Sequence, residues 1–208
     1  MHPARGVRVT IPYFTSFSSA VKFITGKQEW ILSTMERQRE KSAARVIPLG
    51  EGNIIRTITS EIGFEVSSTA KRIKAIREEN RTTIIYPKEI QRKMLADAVI
   101  KELRREAAQY LPVRTEELAR LYGFRYNNVF LKNNRTNWGS CSKLNNINLN
   151  IHLMRLDRDV ADFVILHELC HLKHRNHGTG FHRLLDSLCS GCEKELSRRL
   201  KKEIPGAI

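Results

Sequence analysis

His167-Glu168-Leu169-Cys170-His171, directly after the apolar run Phe163-Val164-Ile165-Leu166, constrains this chain more than any other stretch. The apolar run predicts a largely buried helix. On that helix two histidines four residues apart share one face, with imidazoles able to converge on one ion. Glu168 occupies the neighbouring face, close enough to meet a water on that ion without ligating it. Burying two imidazoles and a carboxylate is costly unless they are paired or bound. The pattern answers that cost with metal-assisted hydrolysis: Zn2+ brings the pKa of a bound water to about 7, and a carboxylate takes the proton.

A catalytic zinc takes three protein ligands and keeps one position open. His174 shares the helix face, but lies about 10 Å along the axis from His167 at 1.5 Å per residue. A straight helix does not return it to the ion, so it reads as a surface residue or one behind the ligands. His177 follows Arg175-Asn176, and Gly178 and Gly180 let the chain turn back. His167, His171 and His177 are therefore the expected metal ligands, and Glu168 the expected general base.

These residues resemble the YgjP-like metal-dependent hydrolases, a zincin-like group akin to the SprT-like and WLM peptidases. The resemblance rests on His167 through His177 followed by Phe181, on Arg135-Thr-Asn-Trp138-Gly139-Ser140-Cys141-Ser142, and on Asn146-Ile-Asn148-Leu149-Asn150. It is most specific from about 126 to 182, with a looser likeness back to Val7–Pro12 and the helix bearing Trp30. It implies an α+β fold: a zincin-like minimal metallopeptidase core with a long helix, a small antiparallel sheet and a metal-binding helix. It also implies a zinc-dependent peptidase with a polypeptide substrate, the Trp138–Ser142 segment lining or bracing the cleft. Trp138, Gly139, Ser140, Asn148 and Asn150 are the expected substrate-side residues. Relatives usually carry Trp where this chain has His182, which is read as an exposed helix residue or one behind the ligands. Relatives also tend to show a basic strand before the one matching Val7–Ile11, so that strand is expected to keep an unpaired edge.

The rest of the chain divides at Pro87. Residues 1–87 read as a β-rich N-terminal region with one helix, and 88–208 as the metallopeptidase domain. Strands are expected at Val7–Ile11, Asn53–Thr59, Ile62–Val66 and Thr82–Tyr86. Arg72–Arg77 tolerates a helix but is taken as a strand. A helix capped by Ser16 covers about 17–39. Helices follow at about 88–109, at Thr115–Leu121 capped by Thr115 and closed by Gly123, and from an Asp157 cap to about His174. Strands at Asn128–Lys132 and Ile147–Ile151 flank a polar stretch, and Ile147–Ile151 is taken as the sheet edge that receives a peptide backbone.

The 208 residues carry 36 Lys plus Arg against 22 Asp plus Glu, a formal charge of +14. No acidic residue occurs between Glu117 and Asp157, where Arg120, Arg125, Lys132, Arg135, Lys143 and Arg155 lie. With Trp138 and Tyr126 nearby, this basic rim makes nucleic acid a second partner class, either alongside peptidase activity or in a metal-stabilised binding module without turnover. At 41% hydrophobic content the chain can bury a core, and no apolar run is long enough for a membrane span. The first residues lack the apolar stretch of a secretory signal and the four cysteines are too few for a disulfide scaffold, so a cytoplasmic protein is expected. Cys189-Ser-Gly-Cys192 has metal-site spacing but no second pair, and reads as structural. Oligomeric state is not written in the sequence.

Overall fold

The computed structural model describes residues 10–43, 46–206 and 208. It divides at Val46/Ile47 into two compact units, not at residue 87. The first unit carries α1 (Phe17–Thr25) and α2 (Gln28–Ala43), where one helix was expected. Ser16 caps α1, its side chain accepting from the Ser19 amide, and Gly26 ends it. The expected strand Val7–Ile11 lies outside the described residues apart from Thr10 and Ile11, which form no element.

The second unit begins with a four-stranded sheet. Its strands β1 (Ile54–Arg56), β2 (Glu61–Val66), β3 (Lys74–Arg77) and β4 (Arg81–Tyr86) are ordered β1-β2-β4-β3. β2 and β4 run parallel, with Ile62 opposite Thr82 and Phe64 opposite Ile84, so one face presents these four residues to the core. The alternation Thr82, Ile84, Tyr86 supplies the period of two that such a half-buried strand requires.

α3 (Arg92–Tyr122) is a single helix of 31 residues, where two were expected. Pro112 lies inside it. Proline removes one backbone donor but leaves the preceding turns intact when tertiary packing holds them. Leu103, Ala107, Leu111 and Leu118 are buried on both sides of Pro112, which supplies that packing. Thr115 does not cap a second helix; its hydroxyl donates back to the Leu111 carbonyl at 2.7 Å. Gly123 closes α3 in the left-handed region at φ 68°, as expected.

Two buried carboxylates tie α3 to the four-stranded sheet. Arg77 on β3 donates to both Glu102 oxygens, at 2.8 and 2.5 Å. Glu106 accepts from the hydroxyls of Thr57, Thr59 and Ser60 in the β1–β2 turn, at 2.7, 3.0 and 2.6 Å.

The second sheet holds β5 (Val129–Lys132), β6 (Gly139–Cys141) and β7 (Ile147–Asn150), in the order β5-β7-β6. The α+β fold class stands, but the small sheet is mixed, with β5 and β7 parallel. The sequence reading also missed β6, which is too short and too polar to announce itself. β7 is therefore central and not the expected edge; the edge beside the helix that carries His167 and Glu168 is β6. A 3-10 turn (Ile151–Arg155) leads to α4 (Arg158–Cys170), followed by α5 (Thr179–Leu188) and α6 (Glu193–Leu200). α4 stops at Cys170, short of the expected His174. Asp157 stands at its N-cap without a capping bond, its carboxylate turned instead to Arg199 at 2.7 Å. Among the described residues no helix is long and apolar enough to cross a membrane.

Candidate metal centre

α4 buries nearly its whole circumference, from Val160 to Cys170, so its last turn is held rigidly where His167 and Glu168 stand. His171 is the C-cap, and the chain then turns through Leu172–Gly178 before α5 begins. This loop returns His177 to the helix end. Potential ligand atoms of His167, His171 and His177 all lie within 4.8 Å of one another, and among the described residues no fourth His, Cys, Asp or Glu joins them. His177 Nε2 is 3.0 Å from His167 Nε2.

Phe181 on α5 closes the cluster from behind. It is 1% exposed, and its ring centroid lies 4.8, 4.7 and 4.7 Å from those of His167, His171 and His177. Burial, reinforced by the neighbouring imidazoles, pushes the His167 pKa down to about 4. Burial likewise lowers that of His171. Both shifts favour the neutral ring, the state a metal ligand requires. His171 Nδ1 lies 3.0 Å from the His174 carbonyl, which can only accept, so Nδ1 carries the proton and Nε2 keeps its lone pair. His174 acts here through its backbone. His182 is half exposed and bonds Glu193, with its ring centroid 6.4 Å from that of His177.

Glu168 is 5% exposed and its Oε2 has no hydrogen-bond partner. Burial pushes its pKa up to about 8. Gly139 on β6 makes room for it: a Cβ there would stand 2.7 Å from Glu168 Oε1 and 2.8 Å from Cγ, closer than real contacts allow. The strand and the carboxylate can adjoin only because residue 139 has no side chain.

The other expected substrate-side residues have different surroundings. Asn150 is 1% exposed and its polar atoms are spent internally. Its amide donates to the Asn134 and Asn137 carbonyls, at 2.8 and 2.9 Å, and its oxygen accepts from the His152 amide. It shapes the loop between β5 and β6 and is closed to substrate. Trp138 is half-buried against the core, and its carbonyl accepts from the Asn150 amide. Asn148 and Ser140 pair with each other at 3.2 Å, on the sheet face opposite the one Gly139 turns to Glu168.

Among the described residues β6 pairs with a strand on one side only. The bonds Asn150 N to Trp138 O and Ser142 N to Asn146 O set the ladder, so Gly139 and Cys141 oppose Leu149 and Ile147 without exchanging hydrogen bonds. Their backbone groups therefore point outward along the edge, where the Gly139 carbonyl accepts from the exposed Asn137 side-chain amide at 3.1 Å. Three of the thiols are held protonated: burial pushes Cys170 and Cys189 up to about 12 and raises Cys141.

No curated protein sequence matches the chain. Among solved structures it is similar to the metallopeptidase zymogen of Pyrococcus abyssi abylysin: 23% identity and TM-score 0.39, over 42% of this chain and 88% of that one. It is also similar to the metallopeptidase zymogen of Methanocaldococcus jannaschii jannalysin, at 25% identity and TM-score 0.35, over 42% and 93%. The family model described as YgjP-like, metallopeptidase domain matches residues 1–203. The chain belongs to the YgjP-like family of metal-dependent peptidases.

Proposed function

We propose that the chain is a zinc peptidase in which His167, His171 and His177 hold the metal and Glu168 is the general base. The observation that carries this reading is the meeting of three converging imidazoles with a buried carboxylate that has an unpaired oxygen. Three nitrogen donors without a fourth protein ligand suit a catalytic zinc better than a structural one, which closes its tetrahedron with protein. Zinc bound there supplies Lewis-acid polarisation and lowers the pKa of water.

The remaining chemistry belongs to the chain's own groups. Burial alone raises the Glu168 pKa to about 8; the charge of a zinc bound beside it would return the group to its carboxylate form, able to accept a proton from water and pass it to the leaving amine. The outward backbone groups of Gly139 and Cys141 take an extended peptide as an added antiparallel strand. Gly139 thereby serves both sides, holding the substrate strand and admitting the carboxylate. Phe181 excludes water from behind the histidines and keeps their orientation fixed.

Elemental analysis tests the ligand set. The parent should hold about one zinc per chain and cleave an unfolded protein substrate, and His171→Ala should lose both. A parent without zinc would contradict the reading.

A second reading, peptidase action linked to nucleic acid, is favoured by the basic rim. Arg120, Arg125, Lys132, Arg135 and Lys143 are all exposed, and Lys132 Nζ lies 5.5 Å over the ring of Phe130, itself 44% exposed. Arg155 is turned inward, bonding His152 and the Ile204 carbonyl. Tyr126 gives its hydroxyl to Glu116. This reading expects single-stranded DNA binding that weakens steeply with salt, and cleavage that rises when DNA is present. Cleavage indifferent to DNA leaves the peptidase alone.

A further inference from the structure

The segment that brings His177 back is exposed and has little regular structure, yet it must hold one imidazole and aim another. Its anchor is Arg175. One guanidinium nitrogen donates to the Ser142 carbonyl at 2.8 Å and lies 3.5 Å from Cys141 Sγ; the other donates to Asn145 Oδ1 at 2.5 Å. Among the described residues no carboxylate pairs with it, so its charge is committed to the turn that joins β6 to β7.

That turn is itself rigid. Asn145 adopts φ 55°, its amide bonds the Ser142 carbonyl, and the Asn127 amide bonds its carbonyl. Arg175 also sits between the two groups that arrange the cluster. The His174 carbonyl, one residue before it, fixes the His171 ring, and His177 lies two residues after it.

We propose that Arg175 is a positioning residue, a clasp that fastens the ligand loop to the β6–β7 turn. It holds His177 in reach of the metal and the His174 carbonyl in line with His171. The clasp makes the ligand set and the substrate-edge strand one rigid assembly. It acts through geometry, because its charge acts the other way: a guanidinium near a divalent ion lowers the affinity for that ion. The proposal rests on the histidine cluster being the zinc site.

The test is zinc affinity measured by competition with a chelator of known strength, together with the zinc dissociation rate. Arg175→Ala should weaken binding about tenfold or more, in the range for outer partners of metal ligands, chiefly through faster dissociation. Arg175→Lys should recover little of this, since one ammonium does not reproduce a planar fork spanning two residues. Asn145→Gly keeps the left-handed turn and deletes one acceptor, and should weaken binding by a smaller factor. If Arg175→Ala does not fold, Asn145→Gly carries the test, and parent-like affinity in it overturns the clasp. Affinity within twofold of the parent, or tighter, in Arg175→Ala overturns it too, as does full recovery by Arg175→Lys. A parent that binds no zinc sinks the reading of the site instead, so the two failures are distinguishable.

Discussion

Glu106 on α3 and Glu168 on α4 are the same residue, 3% and 5% exposed, and the molecule treats them in opposite ways. Glu106 has three hydroxyls on its two oxygens, with Arg105 3.9 Å away, and fastens the β1–β2 turn to the long helix. Glu168 has an oxygen that nothing in the fold satisfies, and burial drives its pKa to about 8. A buried carboxylate with both oxygens engaged is architecture. One left unengaged beside three converging imidazoles costs stability, and under the proposed function it is kept for chemistry.

The sharpest way to break this contrast is to delete each carboxylate. Glu106→Ala takes the shared acceptor from the hydroxyls of Thr57, Thr59 and Ser60 and should cost about 2 to 3 kcal/mol in urea unfolding, the range for losing hydrogen bonds to a charged group. Glu168→Gln should cost the metal-free protein nothing, or stabilise it. Equal losses at the two positions would end the distinction.

Phe181→Ala comes next. Removing a buried phenylalanine should cost about 3 kcal/mol or more, and here it also removes the wall behind the histidines, so zinc affinity falls with stability. Stability lost without affinity would make Phe181 ordinary core.

Gly139→Ala sharpens the comparison on the functional side. The new methyl displaces the Glu168 carboxylate, so kcat/KM should drop at least about tenfold while zinc stays bound. In a Glu168→Gln background the same substitution should add little, because the group it displaces is already inactive.

The smallest effect concerns His152, a buried group on the architectural side. Arg155 donates to its Nδ1, and its Nε2 faces Asn133 Oδ1 at 2.9 Å. Burial, with Arg155 adding to it, pushes its pKa down to about 3, against about 6.5 in the unfolded chain. The native state thus refuses a proton that the unfolded chain accepts. Its contribution is complete above pH 6.5 and is lost as pH falls from 6.5 toward 3. His152→Gln should flatten that part of the stability curve relative to the parent and leave the neutral region parallel.

The two sides of the comparison were not equally legible in the sequence. His167, His171 and Glu168 stand on one continuous helix, whose spacing fixes their directions, and glycines beside His177 announce the turn that returns it. Strands β2 and β4 and the end of α3 at Gly123 were readable for the same local reason. What failed depended on distant partners. The two helices expected at about 88–109 and Thr115–Leu121 are one, because the core around Leu111 and Leu118 holds the chain helical through Pro112. β6 has three residues, and its identity as an edge comes from pairing with β7 and from the approach of Glu168. Asn150 looks like a surface amide until the loop from β5 folds over it. Arg175 and the hydroxyls around Glu106 belong to turns whose meaning appears only once segments 30 to 50 residues apart are brought together.

The central claim is that Glu168 is kept for catalysis and not for the fold. Its most direct test is Glu168→Gln compared with the parent for bound zinc, for metal-free stability and for cleavage of an unfolded protein substrate. Zinc should remain at about one per chain, stability should equal or exceed the parent's, and cleavage should vanish. A variant that loses stability as Glu106→Ala does, or that still cleaves at the parent's rate, would contradict it.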